Sequence, residues 1–187
     1  MTMTSDTPET RISLVLGDIA QTSADALVNA ANDQLLPGAG VSGALHAAAG
    51  PTIAEEARRI GHCPTGSAVA TGAGKLAATH VIHAVAPIWR GGGHGESDLL
   101  RSAYRSSLEV ADASGDKTVA FPSLGTGIYG YPINQAAIIA LDTVLQYLQG
   151  NTKIERVSFV LFTQGDLDVY VSAYRRLTGA NGTNPHT

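Results

Sequence analysis

Hydrophobic and polar positions along the chain follow two periods. Over Arg11–Leu16 apolar and β-branched residues alternate with polar ones, which predicts a strand ended by Gly17-Asp18. Ala26–Asn29 reads as a short buried strand. Further strands are predicted at Ser67–Thr71 and Thr79–Ala84 around a Gly72–Gly74 turn, then at Thr118–Phe121 and Arg156–Phe162. Between them the period changes to that of a helix. Leu100, Ala103, Tyr104, Ser107, Leu108 and Ala111 share one face of a helix opened by Ser97 and Asp98. Ala137, Leu141, Val144, Leu145 and Leu148 do the same after Pro132 and Asn134. Val169, Tyr170, Ala173, Tyr174 and Leu177 line a closing helix for which Asp166 is the expected cap. A small-residue helix is predicted at Gly43–Ala49, and Pro51 suits the first turn of the next, which runs to Ile60. Strands alternating with helices predict an α/β sheet covered on both faces.

Composition narrows the class. The 187 residues suffice for one domain with its own core, expected over residues 11–177. The polar ends are expected to be a disordered N-terminus (1–10) and a frayed tail (178–187). Twelve Lys and Arg against sixteen Asp and Glu give a net charge of −4, and no basic stripe exists to attract nucleic acid. Met1–Thr10 lacks the charged start and apolar middle of a signal peptide. No apolar run reaches the about 20 residues that span a bilayer, so no membrane partner is expected. Cys63 is the single cysteine, which excludes an internal disulfide and suits a cytoplasmic protein.

Two stretches read G-x-G-x-x-G: Gly38-Ala39-Gly40-Val41-Ser42-Gly43 and Gly125-Thr126-Gly127-Ile128-Tyr129-Gly130. Each follows an apolar run and precedes a helical pattern. Such turns expose backbone N–H groups beside a helix N-terminus, a setting for phosphate. The other reading is that the glycines serve only tight turns and close packing. A dinucleotide-binding fold fits poorly, because the first loop lies well past its strand and Glu55 and Glu56 fall in a helical pattern. A Walker A loop fails as well, since Leu76 follows Gly74-Lys75 and Val69 stands where a glycine is needed. Neither Asn29–Gly50 nor Phe121–Gln135 contains Lys or Arg. Any phosphate held there is held by amides and helix dipoles.

Taken together, Gly17-Asp18-Ile19, the run Asp25–Asn32, the first glycine loop through His46, Cys63-Pro64-Thr65-Gly66, Val81–Val85, Phe121-Pro122-Ser123 and Gly125–Pro132 closely resemble the macro domain family. These matches cover nearly the whole chain in the family's order. The resemblance implies a three-layer αβα fold with a mixed, roughly six-stranded sheet and a cleft for ADP-ribose, with no cofactor. It implies that Asp18 accepts a hydrogen bond from the adenine amino group beside Ile19. Phe162 stacks on the base, although a core phenylalanine remains the alternative. Gly40, Val41 and Ser42 form one phosphate loop, and Ser123 with Gly125, Thr126, Gly127, Ile128 and Tyr129 the other. At the reacting end stand Asn32, Ser42 and Tyr129: Asn32 holds the distal ribose and Tyr129 packs against that sugar.

One position departs from the family's hydrolase branch, which usually has aspartate where this chain has Ser42. A neutral hydroxyl is no general base near pH 7. Members lacking the aspartate imply another route, in which the ligand's own phosphate activates water and Asn32 orients the ribose. Capping of the helix near Gly43 is the plain alternative for Ser42. His46 is read as structural. His80 and His83, three apart on a strand, point to opposite faces, and His62-Cys63 has no companion cluster, so no metal is expected. The leading expectation is a monomeric hydrolase acting on ADP-ribosylated protein or O-acetyl-ADP-ribose. The competing ones are a non-catalytic ADP-ribose reader and, less favoured, an RNA- or poly(ADP-ribose)-binding domain.

Overall fold

The computed structural model describes residues 7–179. Among them six strands form one sheet: β1 (Ile12–Leu16), β2 (Ala26–Ala30), β3 (Ala68–Gly72), β4 (His80–Ala84), β5 (Thr118–Phe121) and β6 (Arg156–Leu161). Five α-helices accompany them: α1 (Gly40–Ala49), α2 (Pro51–Ile60), α3 (Glu96–Ser114), α4 (Ile133–Gln149) and α5 (Gln164–Thr178). The strand order is β1-β6-β5-β2-β4-β3. The first five in that order run parallel, and β3 closes the edge antiparallel to β4. Parallel neighbours need long crossovers, and helices supply them.

Side-chain alternation divides the core into two faces. Ala26, Val28, Ile82, Val119, Phe121, Val157 and Phe159 point to the face covered by α3, α4 and α5. The residues between them, Leu27, Val81, Ala120 and Val160, meet α1 and α2 through Leu45, Ala49 and Ile53 on the other face. Period two on each strand with helices above and below produces the three-layer αβα arrangement.

Several boundaries move from their expected places. The cap of α5 is Thr163, not Asp166: its backbone is extended and its Oγ1 accepts from the Asp166 N–H at 3.1 Å. Asp166 instead sits in the first turn, where its charge meets the helix dipole. The closing strand ends at Leu161, one residue before Phe162. Helix α1 begins at Gly40 rather than Gly43. At the N-terminus, residues 7–10 are not loose. Glu9–Arg11 forms a 3-10 turn whose Glu9 carbonyl accepts from the Tyr174 hydroxyl at 2.9 Å. Thr178 is the last residue of α5, and the rest of both expected tails, 1–6 and 180–187, lies outside the described residues.

Candidate functional site

Loops after β1, β6, β5 and β2 gather at the carboxyl ends of the parallel strands, where open α/β sheets form their crevices. Here they enclose a cleft of two lobes. The larger, about 430 Å³, is lined by Asp18, Ile19, Thr126, Phe162 and Asp166 among others. The smaller, about 200 Å³, is lined by Asn32, Ser42, Ala86, Gly125, Ile128 and Tyr129 among others. Gly40, Val41, Ser123 and Gly127 border both lobes and form the waist. Every residue singled out from the sequence as a site residue therefore faces one lobe or the other. No Lys or Arg lines either lobe among the described residues, and the two carboxylates, Asp18 and Asp166, both belong to the larger one.

The first glycine loop owes its shape to two of its glycines. Gly40 adopts φ +59°, a left-handed conformation that side chains rarely accept. At Gly43 a Cβ would come within 2.7 Å of the Gly38 carbonyl oxygen, so the loop folds tightly against α1 only with glycine there. No side chain caps α1. Its first-turn amides at Gly40, Val41 and Ser42 consequently lack the intrahelical partners that later residues have. Ser42 lies inside this first turn, is buried, and does not cap the helix; its Oγ accepts from the Gly38 N–H at 3.2 Å. The hydroxyl pins the loop, and its own hydrogen stays available to the smaller lobe.

Two buried tyrosines hold the second loop. The Tyr104 hydroxyl of α3 accepts from the Leu124 N–H at 2.9 Å, and the Tyr170 hydroxyl of α5 donates to Ser123 Oγ at 2.9 Å. Burial pushes both phenols up, Tyr170 to about 12 and Tyr104 well above its ordinary value, so neither ionises near neutrality. Beyond this anchor the Gly127, Ile128 and Tyr129 amides donate to no protein acceptor among the described residues. The Trp89 N–H reaches the Tyr129 carbonyl at 2.9 Å and fixes the far side of the loop. Burial, with Asp33 nearby, raises the Tyr129 phenol as well.

At the ends of the cleft, Asp18 uses Oδ1 to accept from the Ala20 N–H at 2.9 Å, capping the short turn Ile19–Gln21. Its other carboxylate oxygen has no protein partner among the described residues. Phe162 is 76% exposed, which removes the core alternative and leaves a ring face free at the larger lobe. Asn32 is clamped on Leu36: its Nδ2 donates to the Leu36 carbonyl at 2.8 Å and its Oδ1 accepts from the Leu36 N–H at 3.0 Å. One N–H and one lone pair remain on that amide.

Sequence reasoning missed three features. Asp166 lines the larger lobe rather than capping a helix. Buried Glu96 accepts from the N–H groups of Arg90, Gly92 and His94, so the glycine run beside Trp89 is stapled in place. Burial opposes its ionisation, but these amides outweigh burial and hold the carboxyl down to about 2. On the sheet face beside the His46 ring of α1, Thr71 donates to the Gly72 carbonyl and so accepts from His83 Nε2 at 2.9 Å. That leaves His83 Nδ1 to accept from Asn29 Nδ2 at 3.1 Å. Only the Pro and Gly content of these segments hinted at turns; the partners come from distant positions. His80 faces away and pairs with Asp116 at 2.9 Å. Among the described residues no group of three or more His, Cys, Asp or Glu side chains converges to hold a metal. Cys63 is buried, and burial raises its thiol.

Comparison with known proteins bears on this cleft. The family model described as Macro domain matches residues 28–140. The chain belongs to the macro domain family. A macro domain-containing protein of Caldanaerobacter subterraneus subsp. tengcongensis is 54% identical over 171 residues, covering 89% of this chain and 97% of the relative. An O-acetyl-ADP-ribose deacetylase of Salmonella typhimurium is 45% identical over 179 residues, covering 94% and 98%. Among solved structures, the Oceanobacillus iheyensis macrodomain with ADP matches with TM-score 0.86 at 37% identity, over 90% of this chain and 92% of that one. The Trypanosoma brucei macrodomain in complex with ADP-ribose matches at 0.80 and 34%, over 86% and 67%. The mixed six-stranded sheet with helices on both faces is the macro domain fold.

Proposed function

We propose that this macro domain binds ADP-ribose and hydrolyses mono-ADP-ribosyl linkages to protein carboxylates or O-acetyl-ADP-ribose. The observation that carries the reading is the waist: two glycine loops, converging with free amides and no cation, border both lobes. Each amide bond to a phosphate oxygen contributes about 1.5–3 kcal/mol. The adenine end goes to the larger lobe, where the unpartnered oxygen of Asp18 meets the exocyclic amine beside Ile19 and Phe162 offers its face. The diphosphate crosses at Gly40, Val41, Ser42, Ser123 and Gly125–Tyr129. The distal ribose then occupies the smaller lobe with Asn32 and Tyr129. The names of relatives that act on O-acetyl-ADP-ribose and of neighbours holding ADP or ADP-ribose support the assignment.

In the reaction Asn32 directs its remaining N–H and lone pair at the ribose and water. Ser42 donates its free hydroxyl hydrogen, and Tyr129 fixes the sugar by packing. As water attacks and the C–O bond of the ester breaks, the carboxylate or acetate leaves and the ribose retains a hydroxyl. Among the described residues no carboxylate lines the smaller lobe, so the proton of the water goes to a phosphate oxygen of the ligand. That same gap favours the second reading, a module that recognises ADP-ribose without efficient turnover. We place the protein in the cytoplasm as a monomer. Among the described residues no helix is long and apolar enough to cross a membrane.

Calorimetry with ADP-ribose tests binding, and absent heat at saturating ligand ends both readings. A time course on a glutamate-linked, mono-ADP-ribosylated protein separates them. Release of label supports the hydrolase; label retained at high protein concentration leaves the reader.

A further inference from the structure

Three of the large hydrophobic side chains that remain exposed stand on loops at the smaller lobe: Leu36 (50%), Ile88 (52%) and Ile128 (88%). Leu36 is bonded to the lobe's wall, Ile128 belongs to it, and Ile88 is next in the chain to a residue bonded to it. Leu36 is gripped through its backbone by Asn32. The preceding Leu35 is buried with φ +57°, a conformation unfavourable for a branched residue, and the next side chain turns outward. Ile88 precedes Trp89, whose N–H holds the Tyr129 carbonyl while its ring packs on Tyr131 at 4.7 Å. The loop beyond Trp89 is stapled by Glu96. Ile128 lines the lobe itself. Burial of Leu35 against Ala31, Ala57, Cys63 and Val85 accounts for its backbone, and with that anchor the exposed Leu36 side chain is held out beside the lobe.

We propose that Leu36, Ile88 and Ile128 form a docking rim for the polypeptide of an ADP-ribosylated protein, contacting apolar side chains that flank the modified residue. This rests on the reading of the smaller lobe as the site of the distal ribose, because only then does the attached chain leave the cleft across this rim. Charge agrees with an apolar occupant. At Leu36 and Ile128 neither Asn29–Gly50 nor Phe121–Gln135 carries a Lys or Arg, and exposed Asp33 stands three residues before Leu36, so acidic neighbours in the peptide meet repulsion there. Exposed Arg90, two residues beyond Ile88, is the one cation on the three rim segments among the described residues. A second copy of this chain fits less well. A stable dimer buries about 1,200–2,000 Å², far more than three side chains offer.

The experiment measures binding of free ADP-ribose and of two peptides bearing ADP-ribose through a hydrolysis-resistant linkage, one flanked by leucines and one by aspartates. Covering the exposed half of a leucine or isoleucine is worth about three- to tenfold. The leucine-flanked peptide is expected to bind at least fivefold tighter than free ADP-ribose and than the aspartate-flanked peptide. Leu36→Ser with Ile88→Ser is expected to cut that advantage at least threefold while leaving the Kd of free ADP-ribose within twofold. The backbone clamp on Leu36 survives this exchange. Peptides binding no tighter than free ADP-ribose, or an advantage undiminished in the double variant, would overturn the proposal. So would a wild-type dimer, seen by light scattering, that the double variant dissolves. Absence of free ADP-ribose binding, by contrast, would remove the underlying assignment of the cleft.

Discussion

Replacing Asp18 by asparagine separates two jobs that one carboxylate performs. Oδ1 caps the turn through the Ala20 N–H at 2.9 Å, and the other oxygen faces the larger lobe. In Asp18→Asn the amide oxygen can keep the cap, so the melting temperature is expected to stay within about 2 °C of wild type. The lobe then meets an NH2 group, a donor opposite adenine's own amino donor. Losing a charge-assisted hydrogen bond costs about 1.5–3 kcal/mol. At about 1.4 kcal/mol per tenfold, ADP-ribose affinity falls about 10- to 140-fold. The hypoxanthine analogue, with a carbonyl in place of the amine, is expected to gain relative to ADP-ribose. Asp18→Ala loses the cap too, at about 1 kcal/mol, and melts lower. Calorimetry with both ligands and a thermal melt of each variant read these outcomes. A folded Asp18→Asn protein that binds ADP-ribose within twofold of wild type would refute the adenine assignment.

Phe162→Ala is expected to weaken ADP-ribose binding by about 1–3 kcal/mol, less than Asp18→Ala does. Its melting temperature is expected not to move, since the ring is exposed; a large drop in Tm would show a packing role instead. Ser42→Asp places a carboxylate in the smaller lobe and is expected to raise hydrolysis of O-acetyl-ADP-ribose, and an unchanged or lower rate in a folded variant contradicts the reading of that loop. For His83, burial and then the charge of His46 lower the folded pKa to about 4. The neutral ring is the folded form, so stability is complete above the unfolded value near 6.5 and is lost as pH falls from there to about 4. The loss amounts to roughly 3 kcal/mol. The depressed carboxylates Glu96, Asp25 and Asp112 also lose stabilisation as pH falls, at the acid edge of that window, and His46, lowered by burial, acts within it. All of these remain in His83→Gln, so the difference between the two profiles isolates the His83 ring. Urea titrations across pH 4–7 are expected to show a flatter profile for His83→Gln, and parallel profiles would exclude the imidazole as the source.

Local patterns in the sequence carried the sheet and helices because each strand alternates and each helix shows one apolar face. Thr118–Phe121 and Pro51–Ile60 lie where those patterns put them. The errors came where two residues compete for one local job. Thr163 and Asp166 both suit a helix start, and the extended backbone of Thr163 decided it. Capping stood as the alternative for Ser42 because it precedes the helix expected near Gly43; the helix in fact begins two residues before Ser42, and the hydroxyl turns back on Gly38. Partners far along the chain left no trace in local pattern. Tyr174 tying down Glu9 and Tyr170 bonded to Ser123 depend on how β1, β5 and α5 come together. The gathering of Asp18, Phe162, Ser123 and Asn32 was legible through motif resemblance, whereas Asp166 and the Glu96 staple were not.

The cleft's walls issue from four strands that are neighbours in the sheet: β1, β6, β5 and β2, in that order. At about 4.8 Å between adjacent strands, the first and last stand about 14 Å apart. Hydrogen-bond spacing between these strands thus acts as a ruler laid along the cleft. A guest too short to reach from the β1 edge to the β2 loop leaves one end of the measure unread, however well its base fits.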